Sequence, residues 1–309
     1  MTRQYLTAAQ HILDAGTRKT SRTGLDTFSA FAVPMQFDLR AGFPLLTTKA
    51  INWWHIVAEN LWFLSGRPNI EFLKKHKIRF WDAWADENNN VPSAYGNFWR
   101  KFPVHPTDGE HPDELHTNDQ IKWLLDTLKR DPYSRRLVVS AWAPGNAQTS
   151  KLPPCHTMFV LNTQNLADAE PHLCLHLTQR SADMFLGVPY NIAGYAFLLS
   201  LFAHLSGMEP GIFAHTLVDA HFYTAKLDGT LASGGTHGAD DDELLDHVPL
   251  IEAQLKRKPR ALPTLTIDPS IKTLDDVTKL LDAPKDEILD IFRLTNYNPH
   301  PTIKGKAAV

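Results

Sequence analysis

The stretch QRSADMFLGVPYNIA, residues 179–193, joins the two elements around which this chain is organised. Residues 173–178 before it alternate as a strand, which is expected to pair with the apolar residues 159–163. Residues 192–205 at its end are apolar almost throughout and predict a long central helix. Strands and helices therefore both contribute to the core, although this pattern alone does not give their arrangement.

The same periodicities predict further elements on either side of this stretch. The remaining predicted helices are residues 5–15, 53–64 and 119–130, and the remaining predicted strands are residues 28–39 and 136–142. Residues 18–27 are polar and rich in Thr and Ser, so a loop is expected there. Surface loops or insertions are also expected at residues 104–118, 165–172 and 232–246, which carry Gly, Asp, His and Pro without periodicity.

Length and composition are those of a globular protein with a large buried core. The chain has 309 residues, of which 43% are hydrophobic and 21% charged. No polar stretch resembles a linker, so one domain over residues 1–309 is predicted. The formal net charge of −3 excludes a global basic field for a nucleic-acid polymer. Any phosphate-binding arginines must therefore act locally.

Targeting signals and cysteine usage predict a cytosolic protein. The first residues have no apolar core of signal-peptide length, and no later stretch is expected to reach the eighteen or so apolar residues of a membrane span. Cys155 and Cys174 are the only cysteines, so neither a disulfide framework nor an all-cysteine metal site is expected. Both would be free thiols in a reducing compartment, and Cys174 is expected to be buried.

The segment Pro153-Pro154-Cys155-His156 has two interpretations. A cysteine after paired prolines is more often a small apolar residue at a strand start than a nucleophile. However, Arg135-Arg136 precedes it and residues 179–183 follow it, and both could bring guanidinium groups to the thiol and lower its pKa. The alternative interpretation of Arg135-Arg136 is that the pair lies at a helix terminus, exposed to solvent.

Eleven short motifs, taken in order, carry a resemblance that spans nearly the whole chain. Four of them are FPLLTTK at 43–49, WDAWADEN at 81–88, PCH at 154–156 and DAHFY at 219–223. The others are residues 22–24, 59–64, 95–96, 134–136, 179–183, 187–193 and 298–309. In this order they resemble thymidylate synthase and its relatives, the hydroxymethylases of deoxyuridylate or deoxycytidylate.

The resemblance implies a single-domain α/β fold. One face of a bent mixed β-sheet would form a dimer interface, and helices would lie on the other face. In the family, the arginines that match Arg135 and Arg136 reach the phosphate in the neighbouring subunit's site. A homodimer is therefore implied.

The resemblance also implies transfer of a one-carbon unit from 5,10-methylenetetrahydrofolate to C5 of a pyrimidine nucleoside monophosphate, without a metal. Because C5 of uracil is a poor nucleophile, a thiolate must first add at C6, and Cys155 matches it. Glu59, in a predicted apolar helix, would have the raised pKa that proton transfer requires. Tyr95 would sit with a water near C5. Asn191 offers one donor and one acceptor, which suit uracil and hence dUMP.

Further matches concern the phosphate, the base and the sugar of the nucleotide. Arg22, Arg180 and Ser181 resemble a phosphate-binding set, since guanidinium groups and a hydroxyl suit a dianion. Gln179 would orient the base or the nucleophile. Two further residues, His221 and Tyr223, are two apart on a strand and so share a face, and they resemble the pair that binds the sugar hydroxyl. Without the resemblance they would be core residues.

The folate-binding residues are inferred in the same way. Trp81 and Trp84 resemble a pair that stacks on folate, although two tryptophans at this spacing are usually core residues. Asp183 would contact the pterin ring, and Lys49 the anionic folate tail. Val309 resembles the C-terminal latch that closes over the bound ligands and excludes water.

Several positions depart from the usual synthase pattern, and they cluster around the site. Residues 91–94 (VPSA) replace the expected Leu-Gly-Pro-Val, and Gly194 stands in place of a serine. Val218 replaces a glycine, and residues 25–26 interrupt a run of Thr and Gly. A remodelled folate pocket could admit water, and water instead of hydride would give a hydroxymethyl product.

Three hypotheses therefore remain at the level of the sequence. The first is a thymidylate synthase that acts on dUMP, and the second is a dUMP hydroxymethylase that releases tetrahydrofolate. The third is a catalytically silent relative that binds nucleotide or RNA through its arginines. Replacement of Cys155 by alanine separates the third from the other two.

Overall fold

A computed structural model of the chain describes residues 2–104, 116–166, 170–231 and 239–308. The strands are β1 Thr17–Thr20, β2 Asp26–Asp38, β3 Phe102–Val104, β4 His116–Asn118, β5 Val138–Ser140, β6 His156–Asn165, β7 Pro171–Gln179, β8 Ala182–Asp183, β9 Glu209–Thr224, β10 Thr264–Ile267 and β11 Phe292–Thr295. The helices are α1 Thr2–Ala15, α2 Trp53–Ser65, α3 Glu71–Lys75, α4 Tyr95–Arg100, α5 Gln120–Arg130, α6 Pro144–Ala147, α7 Gly187–Ser206, α8 His247–Leu255, α9 Leu274–Lys279 and α10 Lys285–Ile291.

A seven-stranded mixed sheet forms the centre of the fold. Its order is β1-β2-β9-β7-β6-β5, and β8 also pairs with β9. Strands β7 and β9 are parallel, whereas β2 with β9, β6 with β7 and β5 with β6 are antiparallel. Helices α1 and α7 pack against β2, β7 and β9. The predicted α/β class with a mixed sheet and helices is confirmed.

Helix α7 is the core of the molecule. It begins at Gly187, before the predicted start at 192, because Pro189 falls in its first turn, where the missing N–H costs no hydrogen bond. Its residues are buried on nearly every side. The expectation that no stretch has the length and apolarity of a membrane span is wrong, because Gly187–Ser206 has both. That helix is 78% buried inside the protein, which is the pattern of a core helix.

The predicted strand pair, residues 159–163 and 173–178, is confirmed as β6 and β7, which pair in one register from Asn165↔Pro171 to Met158↔Thr178 and shift register before His156↔Gln179. The prediction of a loop at residues 18–27 is wrong for residues 18–20. Residues 17–20 form β1 because their backbones pair with the start of β2, and this pairing overrides their polar side chains. The strand predicted at 136–142 is reduced to β5.

The predicted insertions are more ordered at their ends than expected. The ends of 104–118 form the β3–β4 hairpin, and residues 239–245 of the third insertion form a 3-10 helix. The remaining parts, residues 105–115, 167–169 and 232–238, lie outside the described residues.

The second face of the sheet is exposed in the protomer. Apolar Phe31, Val138 and Met158 are 82%, 37% and 38% exposed. Cys174, on β7, is half-buried rather than buried as expected, and its Sγ accepts a hydrogen bond from the Ile212 amide at 3.3 Å.

Candidate active site

A cavity of about 710 Å³ lies between α2, the start of α7 and the C-terminal segment. Its wall includes four residues that the sequence singled out, and residues 302–307 form the side towards the chain terminus. The four are Lys49, Glu59, Asp183 and Asn191. These side chains come from segments far apart in sequence, so the fold gathers them at one place.

Cys155 lies immediately before β6, where its backbone is held on two sides. Its amide donates to Tyr95 Oη at 3.2 Å, and its carbonyl accepts from the Arg180 amide at 2.8 Å. Burial raises the pKa of the Cys155 thiol, while the charges of Arg180 and Arg22 act in the opposite direction. The expectation of a lowered thiol pKa is therefore wrong for the ligand-free protein, because desolvation outweighs the two cations.

The guanidinium group of Arg180 is held by carbonyl oxygens of the loop before Cys155. Its Nε donates to the Pro154 carbonyl at 2.9 Å and its Nη2 to the Pro153 carbonyl at 2.7 Å. The same Nη2 lies 3.9 Å from Cys155 Sγ, and the group stacks over Trp142 at 5.3 Å. These contacts orient a fixed cation beside the thiol.

Arg22 is exposed in the turn between β1 and β2. Gly24, at φ 81°, supplies the left-handed residue that this turn requires. The Arg22 guanidinium lies 5.7 Å from the ring of Trp84 and influences the pKa of both Cys155 and Tyr223. The arginines that act on the thiol are therefore Arg22 and Arg180.

Arg135 and Arg136 do not contribute a charge to the Cys155 thiol of their own protomer. Both are exposed in the turn between α5 and β5. The expectation that this pair lowers the thiol pKa is wrong within one chain, because only Arg180 and Arg22 act on it. The placement leaves both arginines accessible to a second subunit.

Glu59 lies on α2 with its carboxylate towards the cavity. Trp81 donates its indole N–H to Glu59 Oε1 at 2.8 Å. Burial raises the pKa of Glu59 to about 7, and the Trp81 hydrogen bond opposes this. The predicted raised pKa of this glutamate is confirmed.

Tyr95 and His156 form a stacked pair beside Cys155. Their ring centroids are 4.5 Å apart with an interplanar angle of 9°. Burial raises the pKa of Tyr95 well above its usual value and lowers that of His156 to about 4, so both are neutral at pH 7. His156 had no predicted role, although it lies in the quoted PCH motif.

A chain of hydrogen bonds leads from the sheet to Asn191. Gln179 Nε2 donates to Asn191 Oδ1 at 3.2 Å and to the Ser181 carbonyl at 3.0 Å. Gln179 Oε1 lies 2.9 Å from His215 Nε2. The sequence predicted roles for Gln179 and Asn191, but not for His215.

Asp183 and Lys49 are an acidic and a basic group on the cavity wall. Burial favours a raised pKa for Asp183, but His247, His221 and a backbone amide together lower it to about 2. Burial lowers the pKa of Lys49 to about 7, against the attraction of Asp183. Lys49 Nζ donates to the Phe185 carbonyl at 2.5 Å and lies 3.6 Å from the centre of the Phe185 ring.

His221 and Tyr223 on β9 are in contact, as their spacing predicted. Their rings meet edge to face at 5.1 Å. Burial favours a lowered pKa for His221, but Asp219 and Asp183 raise it. The His221 Nδ1 donates to the Asp219 carbonyl at 3.2 Å. Burial raises the pKa of Tyr223 to about 12.

The two tryptophans have different surroundings. The ring of Trp81 packs edge to face on Phe63 and Tyr95, so a structural role is evident beside its contact with Glu59. Trp84 lines a neighbouring groove. The aromatic rings on the cavity wall are Phe80 and Tyr190, whose centroids are 5.3 Å apart. Neither was predicted, since nothing in their local sequence distinguishes them from core residues.

The C-terminal segment is bound to the third insertion. Lys306 Nζ forms an ion pair with Asp242 at 3.0 Å, and its side chain is only 4% exposed. The Lys306 amide donates to the Leu244 carbonyl at 2.9 Å, and His247 Nε2 donates to the Lys306 carbonyl at 3.0 Å. Val309, the predicted latch, lies outside the described residues.

Two further findings bear on the chemistry. Within residues 2–104, 116–166, 170–231 and 239–308, no three His, Cys, Asp or Glu side chains are grouped so that they could bind a metal ion. A comparison with protein-family models matches residues 3–309 to the family described as Thymidylate synthase.

Proposed function

The chain belongs to the thymidylate synthase family, and on this premise we propose that it methylates dUMP, forming dTMP and dihydrofolate. The family transfers a one-carbon unit to dUMP with methylenetetrahydrofolate as co-substrate. The observation that carries the methyl product is that residues 302–307 line one side of the cavity and are held there by the Lys306–Asp242 ion pair. A segment in this position would shield the bound ligands from the water that a hydroxymethyl product requires.

The residues around the cavity fit a folate. Its volume of about 710 Å³ lies in the range of small-molecule sites. Phe80 and Tyr190 offer aromatic faces, and Asp183 is an ionised acceptor for N–H groups of a pterin ring. Lys49, when protonated, would attract the anionic tail. Trp81 would act on the folate through Glu59. Trp84 would act on it from the neighbouring groove.

The nucleotide is proposed to bind with its phosphate near Arg180 and Arg22. Both guanidinium groups influence the Cys155 thiol, so a phosphate there would lie close to the nucleophile. Ser181 adds a hydroxyl next to Arg180. We propose that His221 and Tyr223 bind the sugar.

Catalysis would begin when Cys155 loses its proton and its sulfur adds to C6 of uracil. The electron pair of the C5–C6 double bond moves towards O4, which makes C5 a nucleophile. The raised thiol pKa keeps Cys155 protonated before the nucleotide binds, so Arg180 and Arg22 would stabilise the thiolate only when the closed site forms around the substrate. The co-substrate supplies the one-carbon unit and then the hydride.

Glu59 and Tyr95 would control the proton transfers in these steps. With a pKa of about 7, Glu59 can donate and accept a proton at neutral pH. Tyr95 stays protonated, and its hydroxyl, which accepts from the Cys155 amide, would hold a water near C5. Elimination of the Cys155 thiolate would release the product.

The hydroxymethylase remains the second candidate because residues 91–94 and Gly194 depart from the synthase pattern. Ser93, however, lines the neighbouring groove with Trp84. At Gly194, a Cβ would meet Asn60 Nδ2 at 3.1 Å, so little space is left there for water. Both placements favour hydride as the completing group.

The chemical identity of the nucleotide product distinguishes the synthase from the hydroxymethylase. With dUMP and methylenetetrahydrofolate, we expect an absorbance rise from dihydrofolate and a nucleotide product heavier by one methyl group. A product heavier by one further oxygen, without dihydrofolate, would establish the hydroxymethylase instead. The variant Lys306→Met should increase the oxygenated fraction because it removes the ion pair that holds residues 302–307 against the cavity.

We further propose that the enzyme is a cytosolic homodimer. The exposed apolar face of the sheet, with Phe31, Val138 and Met158, is the surface that a second copy would cover. Exposed Arg135 and Arg136 would then reach the phosphate in the partner's site.

A further inference from the structure

Three side chains from separate elements, two of them buried, form one line of hydrogen bonds. His215 on β9 contacts Gln179 at the end of β7, and Gln179 contacts Asn191 on α7. His215 is completely buried and Gln179 is 3% exposed. Asn191 is the only one of the three that lines the cavity.

The orientation of the Gln179 amide follows from the Ser181 carbonyl. A carbonyl oxygen can only accept, so the Gln179 atom 3.0 Å away must be the NH₂ group. Gln179 Oε1 therefore points to His215 and can only accept. His215 Nε2 must then carry the proton, and the ring is neutral because burial lowers its pKa well below the usual value.

The same reasoning determines the orientation of the Asn191 amide. The Gln179 NH₂ group donates to Asn191 Oδ1 at 3.2 Å, so the Asn191 amide presents its oxygen on this side and keeps its NH₂ group as a donor. Asn191 also hydrogen-bonds the His156 ring. A base with adjacent N–H and C=O groups, such as uracil, matches this orientation.

Cytosine needs the reverse orientation, because its N3 accepts and its N4 amine donates. Rotation of the Asn191 amide would place its NH₂ group against that of Gln179. Gln179 cannot rotate in response, since its NH₂ group would then leave the Ser181 carbonyl and meet the protonated Nε2 of His215. Each such buried mismatch is costly.

We propose that His215 is a positioning residue that makes the site selective for uracil over cytosine, acting through Gln179 on Asn191. His215 does not touch the base. Its Nε2–H prevents the rotation of Gln179 that would otherwise allow Asn191 to rotate. The inference rests on the proposed binding of dUMP next to Asn191.

The test compares binding and kcat/KM for dUMP and dCMP in His215 variants. His215→Phe removes the donor and keeps a ring, and we expect the dUMP/dCMP ratio to fall about ten- to a hundredfold. His215→Gln restores a donor and should recover part of the ratio. His204→Phe is the matched control, because it removes a histidine that bonds the Ile271 carbonyl at the far end of α7. Its ratio should be unchanged.

The outcomes distinguish a failure of the uracil assignment from a failure of the role of His215. A wild-type ratio near one would refute the uracil assignment itself. A high wild-type ratio that persists in folded His215→Phe would overturn the role of His215. Should that variant not fold, ¹⁵N shifts of the wild-type imidazole decide the matter: a proton on Nε2 supports the relay, and a proton on Nδ1 overturns it.

Discussion

At the scale of the residue, Glu59 shows how a buried carboxyl group reduces stability. Its pKa of about 7 in the folded protein lies above the usual 4.5 because the protein around it removes water. Below pH 4.5 the carboxyl is protonated in both states. Between pH 4.5 and 7 only the unfolded chain releases the proton, so the folded state loses relative stability as the pH rises.

Glu59→Gln should therefore remove a pH-dependent loss of stability. We expect the free energy of unfolding of the wild type to fall relative to the variant, by about 2–3 kcal/mol from pH 4.5 to 8. Urea unfolding across this range measures the difference. Glu71→Gln, at an exposed position in the first turn of α3, is the control. Parallel curves for Glu59→Gln and the wild type would contradict the raised pKa.

Cys155→Ala should abolish turnover and leave nucleotide binding largely intact. On the proposed mechanism the thiol forms the covalent bond, whereas Arg180 and Arg22 would keep their positions without it. Calorimetric titration with dUMP and an assay of dihydrofolate measure the two properties. Measurable turnover would mean that Cys155 is not the nucleophile, as for a relative that only binds nucleotides.

The sequence predicted Cys155, Glu59 and Asn191 because their residue types fit a known chemistry at matching positions. His215 was missed because its partner Gln179 is 36 positions away and is reached only through strand pairing. The pKa of Cys155 was predicted in the wrong direction, since burial is a property of the folded site and not of the neighbouring sequence.

At the scale of the element, a close contact between α2 and α4 places Tyr95. A Cβ at Gly96 would lie 2.2 Å from the Phe63 carbonyl oxygen and 2.8 Å from Phe63 Cα, so only glycine permits this approach. Tyr95 is the next residue, and its ring packs against Phe63. The position of the Tyr95 hydroxyl thus depends on the absence of a side chain at Gly96.

Gly96→Ala should separate the two helices. We expect a loss of about 1–3 kcal/mol in the free energy of unfolding, which is typical of overpacking, and a fall in kcat as Tyr95 moves. Gly145→Ala in α6 is the control, because a Cβ there has no neighbour within 4 Å. Equal stabilities and activities for the two variants would show that α2 and α4 can adjust.

Helices α2, α5 and α7 and strand β2 were predicted better than the short elements, but the 16-residue strand β9 was not predicted from its periodicity. Helix α2 was predicted at 53–64 and spans Trp53–Ser65, where Gly66 at φ 68° ends it. Strand β1 is polar and only four residues long, and its partner supplies the order that its side chains do not. The elements after residue 245, from α8 to α10, were not predicted.

At the scale of the whole molecule, the proposed dimer would complete the site. Arg135 and Arg136 are exposed, and their own protomer gives them no contact with the Cys155 thiol. If they bind the partner's phosphate, each site needs both chains. A mixture of two inactive variants then contains some intact sites.

Equal amounts of Cys155→Ala and Arg136→Ala subunits, unfolded together and refolded, should recover about a quarter of the wild-type activity. Half of the dimers are hybrids, and each hybrid has one site with an intact cysteine and an intact partner arginine. Each variant refolded alone is the control. Activity no higher than the mean of the two controls would place Arg136 outside the partner's site.

Glu59 and Lys49 together make the cavity a proton buffer at neutral pH. Both have a pKa of about 7, so between pH 6 and 8 one gains a negative charge while the other loses a positive one. Bound polyanions would raise both pKa values. Ligand binding should therefore take up protons, so the heat of binding at pH 7 should vary with the ionisation enthalpy of the buffer. In a slightly acidified cell, the protein would then bind its substrates more tightly without the action of a regulatory protein.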